Sequence, residues 1–106
     1  MERWAEFEFG DQILMIAAEL HRASKLIRAD DGDRRRNSLE RVYALVDLTI
    51  ACHPQRSRRR ELLRWREMLG GLHLGTAVAP GESRSLLRAL LQFDPVAARQ
   101  IPYVAA

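Results

Sequence analysis

The fold is decided by the stretch LERVYALVDLTIACH, which runs from Leu39 to His53 and is followed by Pro54. Its apolar side chains recur at intervals of three and four residues, which is typical of one face of a helix. The run is also longer than a typical strand of about five or six residues. Pro54 lacks a backbone N–H and ends the helix, and Ser38 is a candidate N-cap. Helix two as a whole is predicted to begin further upstream, at about Asp33 or Arg34. The seam of this helix consists of Leu39, Val42, Val46, Thr49 and His53.

The same helix is apolar on more than one side. Between Val42 and Cys52 the only charged residue is Asp47, and the only other polar residue is Thr49. A helix of this kind must be covered on nearly every side, either by its own chain or by a second copy. We therefore expect a homo-oligomer or a stable complex with a protein partner.

Helix one is predicted to run from an N-cap at Asp11 to about Arg28, because apolar residues recur along it at helical spacing. The lead-in over residues 1–10 is either helical, with Trp4 and Phe7 on one face, or extended over the bundle. The seam of helix one comprises Phe9, Ile13, Ile16, Leu20, Ala23 and Ile27.

Helix three is predicted to end near Leu74, and a shorter helix four is predicted to begin at an N-cap, Ser83. Asp94 and Pro95 interrupt helix four and favour a new short turn, with the aspartate as its cap and proline at the first helical position. The seams of these helices comprise Leu62, Trp65, Leu69 and Leu72, and then Leu86, Leu87, Leu90 and Leu91.

Length and composition indicate a single small domain. The chain has 106 residues and 47% of them are hydrophobic, which is enough to bury a core and argues against disorder. We predict an all-α fold, an antiparallel helical bundle of three long helices plus a shorter fourth. It forms one domain over residues 1–106, with a loosely packed tail over 101–106.

Charge and cysteine content bear on partners and location. Lys and Arg total 17 against 14 Asp and Glu, and the net charge of +3 permits a polyanionic partner without demanding one. Cys52 is the only cysteine, so no intrachain disulfide forms, which suits a reducing compartment. The longest apolar run, residues 13–18, is far shorter than the roughly 20 residues that span a bilayer. We expect a cytoplasmic protein without membrane contact.

Asp47 is the most conspicuous single residue. A carboxylate in an apolar helix is costly unless it is paired and hydrogen-bonded. One interpretation is a site acid with a shifted pKa, and the favoured one is a structural ion pair with Arg64 or Arg66 of the next helix. Glu19, with Arg22 three residues further on, is expected to join the same network.

Catalytic and metal chemistry lack recognisable parts. Cys52 and His53 are neighbours, and adjacent side chains on a helix point about 100° apart, so they do not converge on one ion. The acidic turn at 30–33 lacks the closing glutamate of a calcium loop. We therefore predict no catalytic residue, no cofactor and no metal site, and a protein that is not an enzyme.

Arginines are concentrated in two groups, one at the start of helix three and one in the first turn of helix two. Guanidinium groups suit phosphate oxygens, and free N–H groups at a helix start add to this. In helix two, positive charge opposes the helix dipole, so either the turn frays or the arginines have anionic partners. The predicted nucleic-acid-binding residues are Arg56, Arg58, Arg59, Arg60, Arg34, Arg35 and Arg36.

The two groups are expected at opposite ends of helix two, about 25 Å apart at 1.5 Å per residue. An oligomer would join them into one track. The alternative is an ordinary solvated surface, with the charge offset by Glu61 and Glu67.

Three blocks together resemble a family of short, uncharacterised prokaryotic helical proteins. They are Trp4-x-x-Phe7 with the following DQI, the block from Ser38 to Ile50, and RELLRWRE from Arg60. The resemblance covers about three quarters of the chain, implies helices at these places and carries no activity. The last quarter departs from the family pattern, which has aromatic residues there. In architecture the chain is also similar to the basic four-helix accessory subunits of reverse transcriptases in diversity-generating retroelements.

Two functional hypotheses follow. The first is a non-enzymatic interaction or scaffold subunit that works as an oligomer through its apolar surface. The alternative is an accessory nucleic-acid-binding subunit of a ribonucleoprotein or reverse-transcriptase-type complex that uses the arginines. The two differ in salt dependence, because phosphate contacts weaken steeply as salt rises.

Overall fold

The computed structural model describes the backbone of residues 2–26, 29–74 and 80–105, and the side chains of 4–26, 30–71 and 83–105. Every regular element in these ranges is helical, which confirms the predicted all-α class. The α-helices are α1 (Phe9–Ser24), α2 (Gly32–Cys52), α3 (Arg56–Leu74), α4 (Pro80–Leu91) and α5 (Ile101–Val104). Three 3-10 helices cover Glu2–Glu6, Ala29–Asp31 and Ala97–Gln100.

The four longer helices enclose one apolar core. α1 packs against α2 and α4, and α3 also packs against α2 and α4. The predicted seams supply the buried residues, which include Ile13, Ile16, Leu20, Val42, Val46, Leu62, Trp65, Leu69, Leu90 and Leu91. The predicted seam positions Ile27 and Leu72 lie outside the described side chains.

The second side of α2 is covered largely by its own chain. Tyr43, Leu45, Leu48 and Ile50 are half-buried and pack against the core, whereas Asp47 is exposed. The apolar pattern of α2 is therefore mostly satisfied within one copy of the chain, so it is a weaker argument for an oligomer than the sequence indicated.

The predicted caps of the first, second and fourth helices are wrong. Ser83 is buried inside α4, which begins at Pro80. α1 begins at Phe9 after Glu8, so Asp11 lies in its first turn, where a carboxylate still favours the helix dipole. α2 begins at Gly32, close to the predicted start at about Asp33 or Arg34, so Ser38 lies inside the helix and is buried. The aspartates before Ser38 allow the helix to start earlier, because acidic side chains stabilise a first turn.

α1 is also shorter than predicted. It ends at Ser24, whose hydroxyl donates to the carbonyl of His21 at 2.6 Å and competes with the helical pattern there. The N–H groups of Lys25 and Leu26 then bond to carbonyls only three residues back, which tightens the last turn.

Both terminal segments contain helical turns in the part of the chain that the structure describes. The lead-in takes the helical alternative: Trp4 is buried, and its ring meets that of Phe7 edge-on, with centroids 6.0 Å apart. The predicted loose tail instead contains α5, and Ala105 beyond it is 1% exposed.

Asp94 caps the turn after α4, which confirms its predicted role. Asp94 Oδ2 accepts from the N–H groups of Val96 at 3.0 Å and Ala97 at 3.1 Å. The same carboxylate lies against α1, because a Cβ built on Gly10 would be 2.6 Å from Oδ2. Glycine at this position therefore lets the C-terminal segment dock on the start of α1.

We expect Gly10→Ala and Asp94→Ala to be strongly non-additive. Asp94→Ala should lower the free energy of unfolding by about 1 kcal/mol, the typical cost of a lost cap. Gly10→Ala should also destabilise, because the added methyl displaces a carboxylate that two N–H groups hold in place. In the Asp94→Ala background the same change should be neutral or stabilising, since alanine favours helix.

Urea unfolding of the wild type, both single variants and the double variant measures this coupling. If Gly10→Ala has the same effect in the wild type and in Asp94→Ala, the Asp94 carboxylate does not contact α1 at this position.

Candidate nucleic-acid interface

One outward face of α3 is lined by arginines. Its residues recur at helical spacing, and they surround an open groove of about 390 Å³. The opposite face carries Leu62, Trp65 and Leu69, which are fully buried, so core packing fixes the direction in which the arginines point. We define the arginine face as the groove lining, Arg56, Arg59, Arg60, Leu63, Arg64 and Glu67.

The arginine face is rich in unneutralised charge. Among the described side chains, ion pairs form at Arg22, Arg34, Arg36, Arg41 and Arg66, and none involves an arginine of this face. The one carboxylate that lines the groove belongs to Glu67. Glu61 and Glu67 form no ion pair with these arginines among the described side chains, so they offset the charge only over longer distances.

Arg58 does not belong to this face, although the sequence grouped it with its neighbours. Its Nη1 donates to His53 Nδ1 and to Gln55 Oε1, each at 3.2 Å. Its guanidinium also covers the Phe9 ring, 4.0 Å from the centroid. Helical periodicity explains the difference, because Arg58 lies four residues before Leu62 and shares its inward direction.

Two of the three arginines that open α2, Arg34 and Arg36, have anionic partners, which is one of the two alternatives that the sequence left open. Arg34 Nη1 lies 3.7 Å from Asp31 Oδ1, and Arg36 Nη1 lies 3.5 Å from Asp33 Oδ1. In each pair the arginine follows the aspartate by three residues. Arg35 is half-buried. This group lies at the opposite end of α2 from α3's first turn, so it does not extend the arginine face within one chain.

Asp47 bonds to Arg66, one of its two predicted partners. Arg66 Nε donates to Oδ1 at 2.8 Å and Nη2 to Oδ2 at 3.4 Å. The side chains are 54% and 41% exposed, so water rather than apolar packing surrounds the carboxylate. The hydrogen bond to Asp47 raises the pKa of Arg66. An exposed pair of this type stabilises by less than about 1 kcal/mol.

Arg64 and Glu19 fall outside that pair. Arg64 lines the arginine face. Glu19 bonds to Arg22 at 3.2 Å and to Arg41 at 3.3 Å, so it forms a separate network with α2. The expected single network of Asp47 and Glu19 is therefore two networks on different surfaces.

A buried chain of polar groups fixes the start of α3. Gln12 is fully buried; its Nε2 donates to the Trp4 carbonyl at 2.8 Å, and its Oε1 lies 2.7 Å from His53 Nε2. Trp4 Nε1 donates to Thr49 Oγ1 at 2.9 Å. Because Arg58 donates to Nδ1 of the histidine, the network assigns the proton to Nε2. Sequence reasoning missed Gln12, since a glutamine beside a seam carries no distinctive signal.

The ionisation of His53 is affected by this position. Burial, and then the positive charge of Arg58, hold its pKa below the usual range of histidine. His21 shows the same direction, since burial and then Lys25 lower its pKa. Both imidazoles therefore favour the neutral form in the folded protein.

No group of three or more His, Cys, Asp or Glu side chains that would hold a metal ion occurs among the described residues. Within the same part of the chain, no helix combines the length and hydropathy needed to cross a membrane.

Comparison with known proteins adds no assignment. The sequence matches no protein family, no curated protein and no solved structure. The resemblance to short prokaryotic helical proteins therefore stays a prediction.

We expect Arg58→Gln to act on stability. It removes the contact with Phe9 and a hydrogen bond to His53, so the free energy of unfolding should fall by about 1 kcal/mol. Arg59→Gln is the matched control, because Arg59 is exposed and its loss should change stability by less than about 0.5 kcal/mol. Urea unfolding compares the two, and equal effects would contradict the inward position of Arg58.

The His53 network also predicts a pH dependence. As pH falls below the ordinary histidine pKa of 6.5, the unfolded chain binds a proton before folded His53 does. The contribution of neutral His53 to the free energy of unfolding is therefore complete above that pH, and it is lost as the pH falls from 6.5 through the lowered pKa of His53 in the folded protein. In a His21→Gln background, adding His53→Gln should reduce the loss of stability between pH 7.5 and pH 5.5. An unchanged pH profile in urea unfolding would contradict this.

Proposed function

We propose that this protein is a non-enzymatic nucleic-acid-binding subunit that contacts the phosphate backbone through the arginine face of α3. The observation that carries the proposal is the presence of four arginines on one exposed helix face without ion-pair partners among the described side chains. Such charge is costly to gather on a folded surface unless an anionic partner uses it.

The spacing of the arginines supports a backbone-type contact. Arg56, Arg60 and Arg64 follow one another by about 6 Å along the helix axis, one turn apart. Each guanidinium offers several donors to phosphate oxygens, and the first turn of α3 adds N–H groups near Arg56. Trp65 is fully buried and bonds to the Leu86 carbonyl at 2.9 Å, so it is not available for base stacking. We therefore propose binding that follows charge and shape without reading sequence.

The interaction or scaffold hypothesis is the second candidate. It is supported by large apolar side chains that remain exposed, namely Phe7, Leu63, Met68, Val96 and Tyr103, the last at 81%. On this hypothesis the helices form an antiparallel bundle whose copies associate in the cytoplasm through those side chains. Sedimentation over a concentration series tests it, and a monomer at every concentration would rule out the homo-oligomer.

We expect Arg59→Gln with Arg60→Gln to weaken binding to structured RNA and to duplex DNA. The wild type should lose affinity steeply as salt rises, and the variant's log–log salt slope on duplex DNA should be smaller by about 2, close to one unit per lost phosphate contact. Fluorescence anisotropy across a salt series measures both quantities.

The matched control is Arg84→Gln with Arg88→Gln, which removes the same charge from exposed positions of α4. If both variants lose affinity and slope equally, net charge rather than the arginine face explains the binding. A folded wild type that binds neither nucleic acid at low salt would reject the proposal and leave the protein-partner candidate.

A further inference from the structure

A second basic groove lies between the end of α1 and the first turns of α2. Its volume is about 320 Å³, near the lower limit of about 300 Å³ for small-molecule sites. It shares no residue with the arginine face, and its lining contains no carboxylate. We call it the α1–α2 groove; it is lined by Arg22, Leu26, Arg34, Asn37, Ser38 and Arg41.

The arginines of this groove are oriented by carboxylates that lie beneath them. Glu19 accepts from Arg22 Nη1 at 3.2 Å and from Arg41 Nε at 3.3 Å, and its side chain is only 18% exposed. Asp31, 13% exposed, lies 3.7 Å from Arg34 Nη1. The three guanidinium groups above them are 53% to 74% exposed. The largely covered carboxylates orient the exposed guanidinium groups from one side, and the groove stays open on the other side.

In the contacts among the described residues, these arginines use only a minority of their donors. A guanidinium has five N–H donors, and Arg22 uses one of them on Glu19. Arg41 uses Nε on Glu19 and Nη2 on the Ser38 hydroxyl, at 3.1 Å. The Asn37 amide adds neutral donors at the rim. The start of α2 is also the positive end of that helix's dipole.

We propose that the α1–α2 groove binds a phosphate monoester through Arg22, Arg34 and Arg41. A monoester carries about two negative charges and three acceptor oxygens, which suits convergent guanidinium groups better than a singly charged diester does. The ligand is either a free phosphorylated small molecule or the terminal phosphate of a nucleic-acid strand. The proposal does not rest on the function proposed for the arginine face.

The test uses adenosine 5′-monophosphate, adenosine, and one oligonucleotide with a 5′-phosphate or a 5′-hydroxyl. Binding is followed by amide chemical shifts at constant ionic strength. We expect saturable shifts at Asn37 and Ser38 with the phosphorylated probes and none with adenosine. Response to the mononucleotide identifies a free ligand, and response to the 5′-phosphorylated strand alone identifies a strand end.

Two variants locate the site. Arg34→Gln should weaken binding roughly tenfold, the effect of one lost charge-assisted hydrogen bond. It changes a 74% exposed side chain, so folding should be preserved. Arg59→Gln with Arg60→Gln should leave monophosphate binding unchanged, which separates this site from the arginine face. Absence of saturable binding, or equal binding by wild type and Arg34→Gln, would overturn the proposal.

Discussion

The burial of one amide, that of Gln12, constrains the arrangement of the chain around it. A fully buried amide needs partners for its NH2 group and its oxygen, and Gln12 bonds through them to the Trp4 carbonyl and to His53. The first bond holds the N-terminal 3-10 helix on the core, and the second places the turn after α2. His53 in turn positions Arg58 through its other ring nitrogen. The direction of α3's first turn thus depends on a glutamine two helices earlier.

That dependence explains which arginines face solvent. With Arg58 held inward over Phe9, helical geometry directs Arg56, Arg59 and Arg60 outward. The buried Leu62, Trp65 and Leu69 fix the rotation of α3 about its axis, and the contacts of Arg58 add a polar anchor at its first turn. The arginine face therefore results from core packing as much as from the number of arginines in the sequence. The buried hydrogen-bond network from Gln12 through His53 to Arg58 helps to define its geometry.

The sequence allowed the seams to be predicted, because apolar periodicity is a direct record of which side of a helix is buried. The same periodicity applied to α3 would have separated Arg58 from Arg59 and Arg60. The cap at Ser38 was mispredicted because a serine before an apolar run looks like a helix start, whereas aspartates nearer Gly32 begin the helix. The acidic residue that the sequence made most conspicuous, Asp47, is a solvated partner of Arg66, and the groove built on Glu19 depends on pairing between α1 and α2 that no local pattern records.

The two basic surfaces differ in how their charge is held, and that difference indicates different ligands. Arginines without carboxylate partners, spread along a helix face, gain most from a polymer whose bound counterions are released on association. Arginines already oriented by covered carboxylates have lost part of their side-chain freedom before a ligand arrives, so a compact anion requires less further ordering. The cost is weaker net charge, since Glu19 and Asp31 offset part of the positive field. Such a groove favours a doubly charged terminal phosphate over the singly charged links of a backbone, because only the former gains enough from several donors at one point.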